Sequence, residues 1–190
     1  VTLRAPPPLD TPLILERIED GKVALKNGEQ LLAEARPGDV DIEPLVPVSY
    51  EEAEAASKNF IGHRDDYDYL RCFGCGRERA PADGLRIFPG SVGRPGVLAA
   101  PWTPDPGLAD ENGLVRPEFL WSALDCPGGI SGMGDRSKPL LLGRYVVRLD
   151  RPVRAGEKHI LMGWVVSQEG RKHFVGSALF TAAGKLCGIG

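Results

Sequence analysis

The stretch Arg116-Pro117-Glu118-Phe119-Leu120-Trp121-Ser122-Ala123-Leu124-Asp125 constrains the fold of this chain more than any other. Pro117 suits a first helical turn, where its missing N–H would be unpaired anyway, and Glu118 favours the positive end of a helix. Phe119, Leu120, Ala123 and Leu124 fall at i, i+1, i+4 and i+5, which gives the helix one apolar stripe. Pro127-Gly128-Gly129 is expected to stop it. Before this helix, residues 85–88 and 96–100 read as a strand pair. After it come strands at about 141–149, 159–167 and 172–180, with a fourth at 185–189, punctuated by Gly156, Gly170 and Gly184. A strand pair, one helix and then a run of strands is an α+β order, with the helix laid on an antiparallel sheet.

The N-terminal part reads differently. Short apolar runs at 13–15, 23–25 and 31–33 are separated by Glu19-Asp20-Gly21 and Asn27-Gly28, which is turn chemistry. Pro6-Pro7-Pro8 cannot donate ladder hydrogen bonds and marks an edge or a strand end. A proline-punctuated connection over 37–47 leads to Ser49-Tyr50-Glu51-Glu52, whose capping-box spacing opens a helix at about 49–60. The expected organisation is a partial strand segment over 1–36, a linker over 37–71 carrying that helix, and a complete domain over 72–190.

The two strand-rich segments echo each other. An offset of 146 lays Val1-Thr2-Leu3-Arg4-Ala5-Pro6 on Val147-Arg148-Leu149-Asp150-Arg151-Pro152 and Ile14-Leu15 on Ile160-Leu161. With a small insertion Gly21-Lys22 meets Gly170-Arg171, and Asn27-Gly28-Glu29-Gln30-Leu31 resembles Ala183-Gly184-Lys185-Leu186. If this is a repeat, 1–36 are the last strands of an incomplete copy whose own strand and helix would lie upstream of Val1.

Composition narrows the function. A hydrophobic fraction of 42% and a net charge of −3 fit a globular chain with no basic face for nucleic acid. No run approaches the roughly 18 apolar residues of a membrane helix. Four cysteines are too sparse for a disulfide scaffold, so free thiols in a reducing cytoplasm are expected.

Cys72-Phe73-Gly74-Cys75-Gly76 followed by Asp83-Gly84-Leu85-Arg86 resembles the opening of phenylacetate-type thioesterases of the hot-dog superfamily. Trp121-Ser122-Ala123-Leu124-Asp125 resembles their central helix, and Arg151-Pro152 with Ala155-Gly156 the turn that follows it. The resemblance covers about 72–190. Together with 1–36 it also resembles tandem hot-dog proteins of actinobacterial type. It implies a hot-dog fold, an antiparallel sheet wrapped on a central helix, here preceded by a partial second hot-dog copy. It further implies an acyl-CoA-type small-molecule ligand and a homodimer or higher homo-oligomer; no cofactor is expected, and charge and hydropathy give no reason to expect a nucleic-acid or membrane partner. The alternatives to a thioester hydrolase are a non-catalytic acyl or CoA-binding protein and a structural assembly module.

Asp125 matches the catalytic carboxylate of that class, which attacks or orients a water; the bland alternative is a helix-terminal acid bonded to the Gly128-Gly129 loop. Backbone donors of residues 115–119 would form the oxyanion site. The small residues usual at that helix start are replaced by Arg116-Pro117-Glu118, so Glu118 is a candidate second carboxylate or simply a surface acid. Arg116, Trp121, Gly128 and Gly129 are the expected ligand contacts, although Trp121 also suits a core or dimer interface. No metal is expected. The Cys72-x-x-Cys75 pair has no ligand partner at short spacing, and Cys126 is distant in sequence, so it reads as a tight turn with buried thiols.

Overall fold

Apolar strands that alternate with turn residues must hydrogen-bond to neighbours, and here they do so in two separate sheets. A computed structural model describes residues 1–134 and 140–190 and divides the chain into two compact units. One comprises residues 1–41 and 141–147, the other residues 42–140 and 148–190.

The smaller unit is a four-stranded antiparallel sheet of β1 (Thr2–Leu3), β2 (Ile14–Arg17), β3 (Val23–Asn27) and β4 (Gln30–Ala35), in the order β1-β4-β3-β2. Gly28 makes the β3–β4 turn with φ +57°, a conformation that costs glycine nothing. Residues 141–147 run beside β1: Leu3 N–H donates to Gly143 O at 2.9 Å and Tyr145 N–H to Val1 O at 2.8 Å. The strand expected over 141–149 is therefore split, because an apolar run does not record which sheet its backbone will join.

The larger unit holds α1 (Tyr50–Ser57), β5 (Gly90–Ser91), β6 (Val97–Trp102), α2 (Pro117–Met133), β7 (Arg148–Leu149), β8 (His159–Glu169), β9 (Lys172–Thr181) and β10 (Leu186–Ile189). Its sheet runs β5-β6-β8-β9-β10-β7, antiparallel throughout. α1 starts with the expected capping box, Ser49 Oγ accepting from Glu52 N–H while the Glu52 carboxylate accepts from Ser49 N–H. Its Ala53 and Ala56 are buried, and the helix packs on β5 and β6. α2 crosses β8 and β9, with its buried Leu120, Ala123 and Leu124 over the sheet face that carries the buried Leu161 and Leu179. Residues 85–88 do not form the expected strand. Arg86 takes φ 53°, and the N–H groups of Leu85 and Ile87 donate to Phe73 O and Gly74 O instead, so β6 pairs with Gly90–Ser91.

The strands of the two sheets correspond in order and register. β7-β10-β9-β8 repeats the order β1-β4-β3-β2. Ile14, Leu15, Glu16 and Arg17 oppose Lys26, Leu25, Ala24 and Val23 as Ile160, Leu161, Met162 and Gly163 oppose Phe180, Leu179, Ala178 and Ser177. Both sheets carry a bulge at the same place, with Leu32 and Cys187 as the extra residues. The Leu32 carbonyl accepts from Arg4 N–H at 2.8 Å and Ala5 N–H at 3.1 Å; the Cys187 carbonyl accepts from Asp150 and Arg151 at the same two distances. Exposure differs: Ile160 and Leu161 are both 0% exposed, Leu161 on the face that α2 covers, whereas Ile14 and Leu15 are 57% and 65% exposed in a unit that has no α-helix.

Candidate active site on the central helix

α2 begins as the sequence predicts, with Arg116 in extended conformation at the N-cap and Pro117 at the first helical position. It does not stop at Pro127-Gly128-Gly129 but continues to Met133. Pro127 costs the helix one hydrogen bond. The small residues beside it let the helix settle on the sheet: a Cβ on Gly163 of β8 would overlap the Pro127 carbonyl and lie 2.7 Å from Gly128 N. A Cβ on Gly128 would already meet Val175 of β9 at 3.1 Å. Burial of this close-packed seam outweighs the local breakers. Asp125 consequently lies mid-helix rather than at a terminus, and neither the end-of-helix dipole nor a loop at Gly128-Gly129 bears on it.

Spacings of three and four place Trp121, Ser122, Asp125, Cys126 and Gly129 along one half-buried stripe of α2, while Leu120, Ala123, Leu124 and Gly128 are buried. Burial, and after it the negative charge of Cys72, pushes the Asp125 carboxyl up to about 6. Gly128 is committed to packing, whereas a side chain at Gly129 would meet open space. Glu118 is exposed at the other end of the helix, 3.5 Å from the Arg116 Nε in an exposed ion pair that stabilises little. The Arg116 guanidinium lies over the Phe119 ring at 4.7 Å. The structure thus lines up Trp121, Asp125 and Gly129, and leaves Glu118 with Arg116 at the helix start.

Few of the expected oxyanion donors are free for that role. Val115 N–H donates to Val153 O at 2.8 Å, Arg116 N–H to Leu108 O at 3.1 Å, and Phe119 N–H to Arg116 O at 3.0 Å. Pro117 has none to give. Within 115–119 this leaves the Glu118 amide for a developing negative charge.

The Cys72–Gly76 turn covers the half-buried stripe. Phe73 packs on Phe119 with ring centroids 6.0 Å apart, and Cys72 Sγ lies 3.7 Å from Cys126 Sγ. Cys126, distant in sequence, is therefore in contact with the Cys72-x-x-Cys75 pair; the helix carries it there because it follows Asp125 on the same stripe. Tyr67 donates or accepts at 3.2 Å from Cys75 Sγ, and Tyr69 Oη donates to Leu140 O at 3.0 Å. Burial pushes the Tyr67 and Tyr69 phenols up. Both tyrosines escape sequence reasoning, since residues 63–71 look like an exposed polar loop. A separate cleft of about 260 Å³, lined by Arg86, Trp102 and Asp105 among others, has no lining residue on α2.

No protein-family model and no curated protein matches the chain. Solved structures do. Zebrafish thioesterase superfamily member 2 aligns with a TM-score of 0.52 at 16% identity, over 63% of this chain and 87% of that one. A putative thioesterase, a phenylacetic acid degradation-related protein from Ralstonia eutropha, aligns at 0.51 and 17%, over 64% and 95%. A further thioesterase superfamily protein aligns at 0.51 and 21%, over 57% of this chain and only 55% of its own length. At such identities the likeness is one of fold. With its antiparallel sheet and the long helix α2 laid across it, the chain has the hot-dog fold found in these thioesterase-superfamily structures.

Proposed function

We propose that this protein is an acyl-CoA thioesterase-like hydrolase in which Asp125 is the catalytic carboxylate. The observation that carries the reading is the place of Asp125. Of the two acids in α2, Glu118 is exposed beside Arg116, while Asp125 lies mid-helix on the half-buried stripe. From there a carboxylate attacks the thioester carbonyl or takes a proton from an attacking water. Trp121 and Gly129, one turn to either side, offer an aromatic wall and open space for the acyl group, and the Glu118 amide is the donor left for the carbonyl oxygen. Arg116 at the helix start suits a phosphate of the CoA portion.

A second reading is a protein of the same fold that binds an acyl or CoA ligand without turnover. The commitment of most 115–119 donors favours it. Hydrolysis of a panel of acyl-CoA chain lengths, followed by thiol release, separates the two. Turnover above background supports the hydrolase; ligand-induced stabilisation with no turnover on any substrate overturns it in favour of binding.

The matching strand order, register and bulge support a duplication in which residues 1–36 derive from a second hot-dog copy. The exposed Ile14 and Leu15 support assembly into a homodimer or higher homo-oligomer through the smaller unit. Free cysteines are consistent with a cytoplasmic protein, and no described helix is long and apolar enough to cross a membrane.

A further inference from the structure

Three of the four cysteines converge where the Cys72–Gly76 turn meets α2, and the thioester reading uses none of them. We propose that Cys72, Cys75 and Cys126 are thiolate ligands of a zinc ion that pins this turn to the central helix. All three sulfurs lie within 4.8 Å of one another, and Cys72 Sγ and Cys126 Sγ are 3.7 Å apart. A tetrahedral zinc with bonds of about 2.3 Å holds its sulfur ligands about 3.8 Å apart. The spacing therefore leaves room for the ion with little movement of the side chains.

The local backbone is shaped for the task. Gly76 N–H donates to Cys72 O at 2.9 Å and closes the turn, and a Cβ at Gly76 would lie 2.5 Å from that same oxygen. A Cβ at Gly74 would lie 2.5 Å from Cys126 Sγ, so only glycine there admits the third sulfur. Around the cluster stand Phe60, Tyr67, Ile130 and Met133. Uncompensated thiolates are costly among such neighbours, whereas a divalent cation reduces three negative charges to one. The Tyr67 hydroxyl stands 3.2 Å from Cys75 Sγ as its hydrogen-bond partner, and the fourth position is left to a water or another exogenous ligand. A disulfide accounts for the arrangement less well, since it joins two sulfurs and leaves the third against them.

This inference is independent of the hydrolase reading. The test is the metal content of the full chain purified without chelators, followed by cobalt titration of the chelator-stripped protein. The expected result is about one zinc per chain, and a cobalt form with thiolate charge-transfer absorption and tetrahedral visible bands. Cys72→Ser, Cys75→Ser and Cys126→Ser should each weaken zinc by at least about 100-fold, and Gly74→Ala, which displaces the Cys126 sulfur, by about 10- to 100-fold. Cys187→Ser should leave binding unchanged. Should a ligand variant fail to fold, the cobalt spectrum of the wild-type chain still reports the thiolates. Zinc-free protein whose cobalt form lacks thiolate absorption, a Cys72 disulfide in the protein as isolated, or zinc retained in all three serine variants would overturn the proposal.

Discussion

Gly163 of β8 lies directly beneath Pro127 of α2, so closely that a Cβ there would overlap the proline carbonyl oxygen. This contact fixes how near the helix comes to the sheet and hence the height at which Asp125, two residues earlier, is presented. Gly163→Val should lift α2 from β8 and lower stability by about 2 kcal/mol or more. Urea unfolding measures this, and an unchanged midpoint would mean that the seam is looser than described.

The run of α2 through Pro127-Gly128-Gly129 marks the boundary of what the sequence makes legible. Its start is readable because Pro117, Glu118 and the apolar stripe are local signals. Its end is set by Gly163 and Val175, which stand far along the chain, and local breaker residues say nothing of them. Strands β8 to β10 are readable from apolar runs and turn glycines, but the sheet that residues 141–147 join is decided by backbone partners near the N-terminus. Asp125 stands out as the acid of an otherwise apolar helix segment. Its neighbour Cys126 belongs with Cys72 only once the turn and helix are folded together, 54 residues apart in sequence.

Leu15 and Leu161 occupy equivalent register positions in their two sheets, yet one is 65% exposed and the other fully buried. Leu161→Ala should cost about 2–5 kcal/mol as a cavity opens in the core. Leu15→Ala should change stability by no more than about 0.5 kcal/mol in the isolated chain. Equal losses in urea titrations of the two variants would show that another surface covers Leu15.

His159 is buried at the start of β8, with Nδ1 2.9 Å from Glu157 O, so its neutral form donates there. Burial holds its pKa below the ordinary 6.5, with Glu157 opposing through its carbonyl and its charge. The stabilisation from keeping this ring neutral is present above about pH 6.5 and is lost as pH falls through the lower folded value. His159→Gln should flatten the fall in urea midpoint between about pH 7.5 and about pH 5. An identical fall in both proteins would assign the acid sensitivity to other groups.

The central claim is that Asp125 acts on a thioester, and single-turnover hydrolysis of the acyl-CoA that the native chain turns over best tests it most directly. Asp125→Asn keeps the shape of the side chain and should slow the chemical step by at least about 100-fold, while Glu118→Gln stays within about twofold of native. Native-like turnover by Asp125→Asn, or an equal loss in Glu118→Gln, would contradict the account.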